Sequence, residues 1–591
     1  MKAIEVEQSL TWRLSDQGMD LLERAGLAGL YMALQSASKT GSLSPLSWHE
    51  DDLRSDSVTV RWSGPAKPGF VKLMDWAWQL SEGLLYLPGV HDDRDRAALQ
   101  YRVPMHSGIM RTFLQHPNTQ PKLEAVDRVI EVEEDKTIVV RFEPPAARVD
   151  DPKRGNNPKT KRLYKKKIAA DCLKPHTDLE KKKFFDRAGC FSTNDVSLSN
   201  WVYPGIAGRY GDEKSWDGPA TIALLLMLAP TVCLYHRLQG EGGNWVFVVP
   251  DVRDVEEFAA TRRLMNLNAD FIDVASLGDA GLQFLAEYST RSPRKVLGSG
   301  CRVVAMGYVG YYQGQSIRKS VLDIPPDLLS VRRYRILHRE LPNTFVRLKT
   351  QSSADVSEAP KTNGQKKKAD KSGQSAGDGA KATGFIKLPS GRGRIADNLV
   401  RGWPWYADLA IPTGWDHDEL ERERKRNKEL NDRDGKNRPT SHETILFAAL
   451  GSQRRKLMKL IAEDDMWDTE AERVFVEAFW EALDSLYAQE AAAIERGGTR
   501  TIEDRFKDLN DDIRRRLTQA KTRALLRTVL ADLFAKAGRQ KSIRNHPAAI
   551  WRLIDHPDHW RKGRDLALLA LTSHRKKEER EAAATSTAKG A

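Results

Sequence analysis

Only four cysteines, Cys172, Cys190, Cys233 and Cys301, occur in 591 residues, and no two form a CxxC pair. That excludes a zinc ribbon and a disulfide scaffold, and fits a reducing compartment. The common catalytic signatures are missing as well. No GxxxxGK[ST] is present to cradle a triphosphate, no HExxH to hold zinc, and no Gly-x-Ser-x-Gly elbow. Neither Gly26-Leu27-Ala28-Gly29 nor Gly298-Ser299-Gly300 opens a strand-to-helix dinucleotide fingerprint. Cys172, His176 and Cys190 are loosely spaced like ligands but lack a nearby fourth. His91-Asp92-Asp93 reads as a turn, and His556-Pro557-Asp558-His559 as a cap between helices. Long apolar runs are absent too. "TIALLLMLAPTVCLY", 221 to 235, is too short to span a bilayer and contains Pro230. It reads as a buried helix or strand. The opening "MKAIEVEQSLTWRLSDQGMD" is no signal peptide. These absences argue against an enzyme, a bound metal or cofactor, and a membrane protein, and for a cytoplasmic one.

What is abundant is positive charge. The chain carries a net +13, which favours an anionic partner, nucleic acid first. "DPKRGNNPKTKRLYKKKIAADCLKPHTDLEKKKFF", 151 to 185, holds twelve Lys and Arg against four acids, with Tyr164, Phe184, Phe185 and, just beyond, Phe191. Cations neutralise phosphates, and aromatics among them can stack on bases. Lys161, Arg162, Lys165, Lys166 and Lys167 are the candidate contacts here. Arg318 and Lys319, beside Tyr308, Tyr311 and Tyr312 in "GYVGYYQGQSIRKS", form a second group. A third lies near the C-terminus. Residues 466 to 504 hold three basic and ten acidic side chains, whereas 505 to 564 hold sixteen basic and six acidic. Arg514, Arg515, Arg516, Lys521, Arg523, Arg527, Lys541 and Arg544 fall on two successive expected helices. Asn118 and Gln120 in "RTFLQHPNTQPK", and Gln313 and Gln315, can both donate and accept, which reading a base edge requires.

Hydrophobic spacing divides the chain. Helical periodicity covers 20 to 39, where Gly26 and Gly29 would permit close packing, and "SVTVRWS" alternates like a strand. A hairpin is expected over 128 to 143, a helix bearing Trp76 and Trp78 before it, and further strands in "GNWVFVVPDV" and across 294 to 325 around the helix "DVEEFAATRRLMNL". Strands and helices without a regular βαβ period imply an α+β region over 1 to 350 with antiparallel sheet elements. Residues 351 to 384 have almost no large apolar side chain and read as a disordered loop or linker. Residues 385 to 440 continue the N-terminal region and end in a charged connector; 441 to 591 read as an all-α bundle of four or five helices. Its caps are expected at Ser441 and Thr469 and its stops at Gly497 and Gly538.

A large basic α+β region followed by a helical bundle resembles the large subunit of type I CRISPR surveillance complexes (Cascade), in the myxobacterial (MYXAN) type branch. The likeness lies in "ERAGLAGLYMALQS", in "GIMRTFLQHPNTQPK", in the order of elements from Gly307 through Pro342, and in the helical C-terminus. It implies a non-catalytic subunit that probes double-stranded DNA for a flanking motif (PAM), helps open the duplex, stabilises the R-loop and its displaced strand, and recruits a helicase–nuclease. The implied partners are crRNA, target DNA, the backbone and crRNA 5′-end-binding proteins, and a small subunit where one is made. In related systems the C-terminal helices are also made separately. Met466, between expected helices, would start such a piece here. The competing readings are a stand-alone nuclease or nucleic-acid-processing enzyme, and a structural RNA-binding scaffold.

Overall fold

The computed structural model describes residues 7–38, 43–78, 108–109, 112–113, 126–133, 136–142, 184–199, 215–238, 245–265, 271–292, 299–308, 316–341, 346–349, 383–386, 391–409, 456–496, 501–538, 540–557 and 560–574. The chain forms two units, Met1–Arg339 with Arg392–Trp405, and Glu340–Gly391 with Tyr406–Ala591. The fold class is the expected one: an α+β N-terminal region with antiparallel sheets, then a C-terminal run of helices.

In the first unit, β1 (Glu7–Arg13), β2 (Leu46–Ser47) and β3 (Ser57–Ser63) form an antiparallel sheet in the order β1-β3-β2. Its alternation turns Val58, Val60 and Trp62 inward, as the sequence implied. The helix α2 (Lys67–Ala77) follows it and contributes Phe70. Phe191 meets Trp62 edge-on at 6.0 Å and Phe70 at 5.0 Å. Phe184 is fully buried, and Phe185 packs on Phe70 and Phe191. The sequence offered these three rings as base-stacking partners for the basic run. They serve the core instead.

The helix α1 (Leu21–Ala37) is buried on nearly every side, as a helix apolar all round must be. Asp20 caps it, its carboxylate accepting from the Leu21 N–H at 2.8 Å. The apolar run at 221 to 235 resolves into both structures weighed for it: α3 (Ala220–Leu228), then a 3₁₀ turn, then β8 (Leu234–Leu238). Gly26 and Gly29 let α1 meet α3 backbone to backbone. A Cβ on Gly26 would fall 2.0 Å from the Leu225 carbonyl oxygen, and one on Gly29 2.8 Å from that of Leu228.

Between these elements lies the hairpin of β4 (Val126–Glu133) and β5 (Lys136–Phe142), and the pair β6 (Asp195–Ser199) and β7 (Ser215–Pro219). A five-stranded sheet then combines β8 with β9 (Trp245–Pro250), β10 (Asp273–Val274), β11 (Cys301–Tyr308) and β12 (Ser316–Ile324) in the order β10-β8-β9-β11-β12. Only the two-residue β10 runs parallel to its neighbour. Three helices accompany it: α4 (Val255–Leu264), α5 (Leu277–Arg291) and α6 (Leu328–Glu340).

After α6 the chain leaves this unit, and it returns through α7 (Gly391–Val400). Arg392 fastens the return. Its side chain is 1% exposed and that of Asp279 is 0%. The guanidinium donates Nε–H to Asp279 Oδ1 at 2.8 Å and Nη2–H to the Tyr334 hydroxyl oxygen at 2.7 Å, with His338 Nδ1 2.9 Å away. Tyr334 donates its hydroxyl to Asp279 at 2.7 Å, and the Ala275 N–H donates to the other carboxylate oxygen at 2.8 Å. Burial pushes the Asp279 carboxyl up, but Arg392, the Ala275 N–H and Tyr334 outweigh it and hold it below the ordinary aspartate value. Nothing in either stretch of sequence signals this pairing across more than a hundred residues.

The second unit contains the strand pair β13 (Val346–Lys349) and β14 (Thr383–Ile386). The expected linker 351 to 384 lies outside the described residues except for Thr383 and Gly384, which are in β14. After a helical segment over 456–462, the bundle comprises α8 (Glu470–Glu495), α9 (Ile502–Gln519), α10 (Arg523–Ala537), α11 (Lys541–Asn545), α12 (Pro547–Asp555) and α13 (Trp560–Ser573). That exceeds the four or five helices expected. The stretch 501–538 breaks at Ala520, and the Thr522 side chain caps α10 from the Leu525 N–H at 3.2 Å. Thr469 stands at the α8 N-cap, though its side chain makes no cap bond, and Gly538 ends α10 at φ +85°. Ser441 and Gly497 lie outside the described residues.

The helix α8 is the bundle's axis, with Phe475, Phe479 and Leu483 fully buried. Its polar groups tie down the others. Trp480 Nε1–H donates to the Ala570 carbonyl at 2.9 Å, and Ser485 donates to that of Ala537 at 2.5 Å. The Glu481 carboxylate accepts from the Ser542 N–H at 2.9 Å and from its hydroxyl at 2.8 Å.

Candidate nucleic-acid interface

The basic residues of the bundle do not lie on two successive helices as expected. Arg514, Arg515 and Arg516 are on α9, Lys521 in the joint, Arg523 and Arg527 on α10, and Lys541 and Arg544 on α11. Two aspartates stitch these elements together. Asp532 of α10 accepts from Arg516 of α9 at 2.5 Å and lies 3.2 Å from Lys536. Those two cations hold its carboxyl below the usual aspartate value. Asp555 of α12 does the same for α10: its backbone carbonyl accepts from Arg523 at 2.9 Å, and its carboxylate lies 3.5 Å from Arg527. Arg527 also lies over the ring of Trp551, 5.9 Å from its centroid.

Among the sequence candidates the structure separates paired cations from open ones. Arg515 is paired with Asp512 at 2.6 Å, and Arg523 is held by its carbonyl. Lys521 is exposed, Arg514 half-buried, and neither has an acidic partner among the described residues. Sequence reasoning missed two comparable positions and one that differs. Arg552 is exposed and open in the same sense, Arg561 lies over Trp560 at 5.4 Å from the ring centroid, and Lys562 is bound instead to Asp468 and Glu472. The adjacent pairs Trp551-Arg552 and Trp560-Arg561 were the available signal. Lys541 and Arg544 are exposed with no acidic partner among the described residues. Such cations can neutralise phosphates without first breaking an ion pair, and Arg561 adds an indole face.

In the first unit, Arg318 and Lys319 belong to β12, the last strand of the five-stranded sheet, with Arg318 opposite Met306. Lys161, Arg162, Lys165, Lys166, Lys167, Asn118, Gln120, Gln313 and Gln315 lie outside the described residues. So do Cys172 and His176, whereas Cys190 sits beside Gln8 near the aromatic core. Burial pushes the Cys233 and Cys301 thiols well up, so neither is a ready nucleophile. Among the described residues no three His, Cys, Asp or Glu side chains are grouped to hold a metal ion, and no helix is long and apolar enough to cross a membrane.

Two stretches of the chain match family models that share one name. Residues 11–148 match the family model of the DevT N-terminal domain, and residues 463–590 that of the DevT C-terminal domain. The second match begins at the turn before α8 and covers the bundle. These matches bear out the resemblance to the myxobacterial branch of Cascade large subunits. The chain is also similar to a particular protein, the CRISPR-associated protein Cas8a1/Csx13 of Myxococcus xanthus (strain DK1622). The two are 25% identical over 588 aligned residues, 96% of this chain and 89% of the relative.

Proposed function

We propose that this chain is the non-catalytic large subunit of a crRNA-guided type I CRISPR (Cascade) complex, working in the cytoplasm. The observation that carries the reading is the likeness to a CRISPR-associated Cas8a1/Csx13 along almost the whole of both chains. The open cations on α9, in the joint after it, and on α11 and α12 suit the role, because a subunit that handles an opened duplex needs positive surface along the displaced strand or the heteroduplex backbone. In this reading guide pairing reads the sequence, while the large subunit recognises the flanking motif, aids duplex opening and recruits a helicase–nuclease. Asn118, Gln120, Gln313 and Gln315 are the proposed readers. Lys161, Arg162, Lys165, Lys166, Lys167, Arg318 and Lys319 are proposed backbone contacts. A start at Met466 would release α8 through α13 as a small subunit, which intact-mass analysis of the native complex detects or refutes.

Purification from the native host is the test. The chain is expected to bring down a short RNA of uniform length and several smaller proteins. Metal-dependent DNA cleavage by the purified chain alone would overturn the non-catalytic role in favour of a nuclease. Alanine at a true motif reader costs about 1–3 kcal/mol for the preferred flank and relaxes the preference among flanks.

A further inference from the structure

Immediately after α7 comes Arg401-Gly402-Trp403-Pro404-Trp405. Of the large hydrophobic side chains exposed among the described residues, Trp403 is the one aromatic, at 45%. Fixed backbone holds it there. The Arg401, Gly402 and Trp403 N–H groups donate to the carbonyls of Asp397, Leu399 and Asn398 at 3.2, 3.2 and 2.9 Å. Gly402 takes φ +66°, a conformation other residues resist. Beyond the turn, Trp405 is 1% exposed, and its carbonyl accepts from the fully buried Asn398 amide at 3.1 Å. One tryptophan anchors the turn while the other is displayed.

Arg401 lies over the displayed ring, its guanidinium carbon 5.1 Å from the centroid. It is exposed and has no acidic partner among the described residues. A guanidinium on an indole presents cation and π-face together, the chemistry that holds an unpaired base and its phosphate. Structural tryptophans turn inward, as Trp12, Trp62, Trp78 and Trp405 do.

We propose that Arg401 and Trp403 form a stacking platform for an unpaired base of single-stranded DNA or RNA. This rests on the nucleic-acid-binding role argued above, and adds to it a site in the first unit. The exposed Leu328 and Leu329 define the competitor. Their neighbour Ser330 donates its hydroxyl to the Leu399 carbonyl at 3.1 Å, which ties the start of α6 to the end of α7. A protein partner docking there would cover the leucines as well as the indole.

The test uses the full chain, fluorescence anisotropy, and DNA and RNA homopolymers of equal length with a blunt duplex as control. Trp403→Ala weakens single-strand binding roughly five- to a hundredfold. It leaves the salt slope unchanged, because stacking displaces no counterion. Trp403→Phe retains most of the affinity, and duplex binding changes little. Bromouracil in the strand photo-crosslinks to the peptide bearing Trp403. The ratio of DNA to RNA affinity identifies the source of the base. If the wild type binds single strands and Trp403→Ala binds them equally well, the platform is refuted while the wider role stands. If the wild type binds no nucleic acid, both fail. If Trp403→Ala and Leu328→Ser/Leu329→Ser each lose the same co-purifying protein at unchanged single-strand affinity, the surface is a protein dock and the proposal is wrong.

Discussion

Arg392 in the first unit and Arg516 in the second both lie against an aspartate, at 2.8 and 2.5 Å. Their surroundings differ more than their distances. Arg392 is 1% exposed, while Arg516 is 28% exposed beside an Asp532 that is 37% exposed. Water can rescue either partner of the second pair but neither partner of the first. The first pair must therefore be complete, and Tyr334 and the Ala275 N–H complete it. The Arg392–Asp279 pair acts as an internal lock of the α+β unit, whereas the Arg516–Asp532 pair joins two bundle helices at the surface.

The largest effect that tests this contrast is removal of the lock. Arg392→Met leaves the Asp279 carboxylate buried without its cation and should destabilise the first unit by about 3–5 kcal/mol. Urea unfolding followed by hydrogen exchange in α5 and α7 measures it. The double variant Arg392→Met/Asp279→Asn should recover part of the loss. A loss from Arg392→Met no greater than that of an ordinary surface substitution would show that the network is ornamental.

Helix packing extends the comparison. Gly26→Ala puts a methyl 2.0 Å from the Leu225 carbonyl oxygen, against backbone that cannot turn aside. Separating α1 from α3 should cost about 1–3 kcal/mol. In the bundle, Gly563 of α13 faces Ile554 at 3.4 Å, an ordinary contact with a side-chain atom. Gly563→Ala should be neutral, or stabilising by about 0.4–1 kcal/mol, since it also replaces a glycine near the start of the helix. Paired thermal melts decide this, and equal shifts would mean that both helices are equally close-packed.

These pairs also show how far local signals reach. β3, α1, the hairpin and the apolar run at 221 to 235 were legible because period, cap and breaker all lie within each segment. The close approach at Gly26 was legible because only glycine leaves room for it. The break at Ala520 was missed: helical spacing continues across it, and a lone threonine is an ambiguous cap. The Arg392–Asp279 lock was invisible because its partners are 113 positions apart and nothing in either neighbourhood announces the other. The aromatic assignments at 184 to 191 failed for a related reason. A ring among lysines looks the same whether it stacks on a base or on Phe70.

Acidity should separate the units with opposite signs and smaller magnitude. Asp279 is held below its ordinary 3.8, so its stabilising share is complete above that value and lost as pH falls through the folded-state value. Glu472 of α8 goes the other way. Burial, with Asp468 adding to it, pushes its carboxyl above 4.5 despite Lys562. Its share is complete below 4.5 and lost as pH rises through the folded-state value. Hydrogen exchange corrected for intrinsic rates should show α5 and α7 losing protection in acid. The first turn of α8 should gain protection as pH is lowered from neutrality. If both regions move together, the titrations are coupled to global unfolding rather than to these groups.

The smallest effect on folding carries the sharpest functional reading. Asp532→Ala removes the acid that Arg516 and Lys536 share, and at a water-exposed seam the stability should scarcely change, least of all in high salt. Binding should respond, because the substitution releases Lys536 and leaves Arg516 only Asp512, 4.0 Å away. If the seam between α9 and α10 faces a phosphate backbone, affinity for DNA rises. The slope of log affinity against log salt then steepens by roughly 0.9 for each new duplex phosphate contact. Lys521→Ala, which removes an open cation next to the seam, should shift both quantities in the reverse direction. A salt titration of the two variants beside the wild type separates the cases. Unchanged slopes in both would mean that this side of the bundle is only solvated, and the nucleic-acid contacts would have to be sought in the first unit.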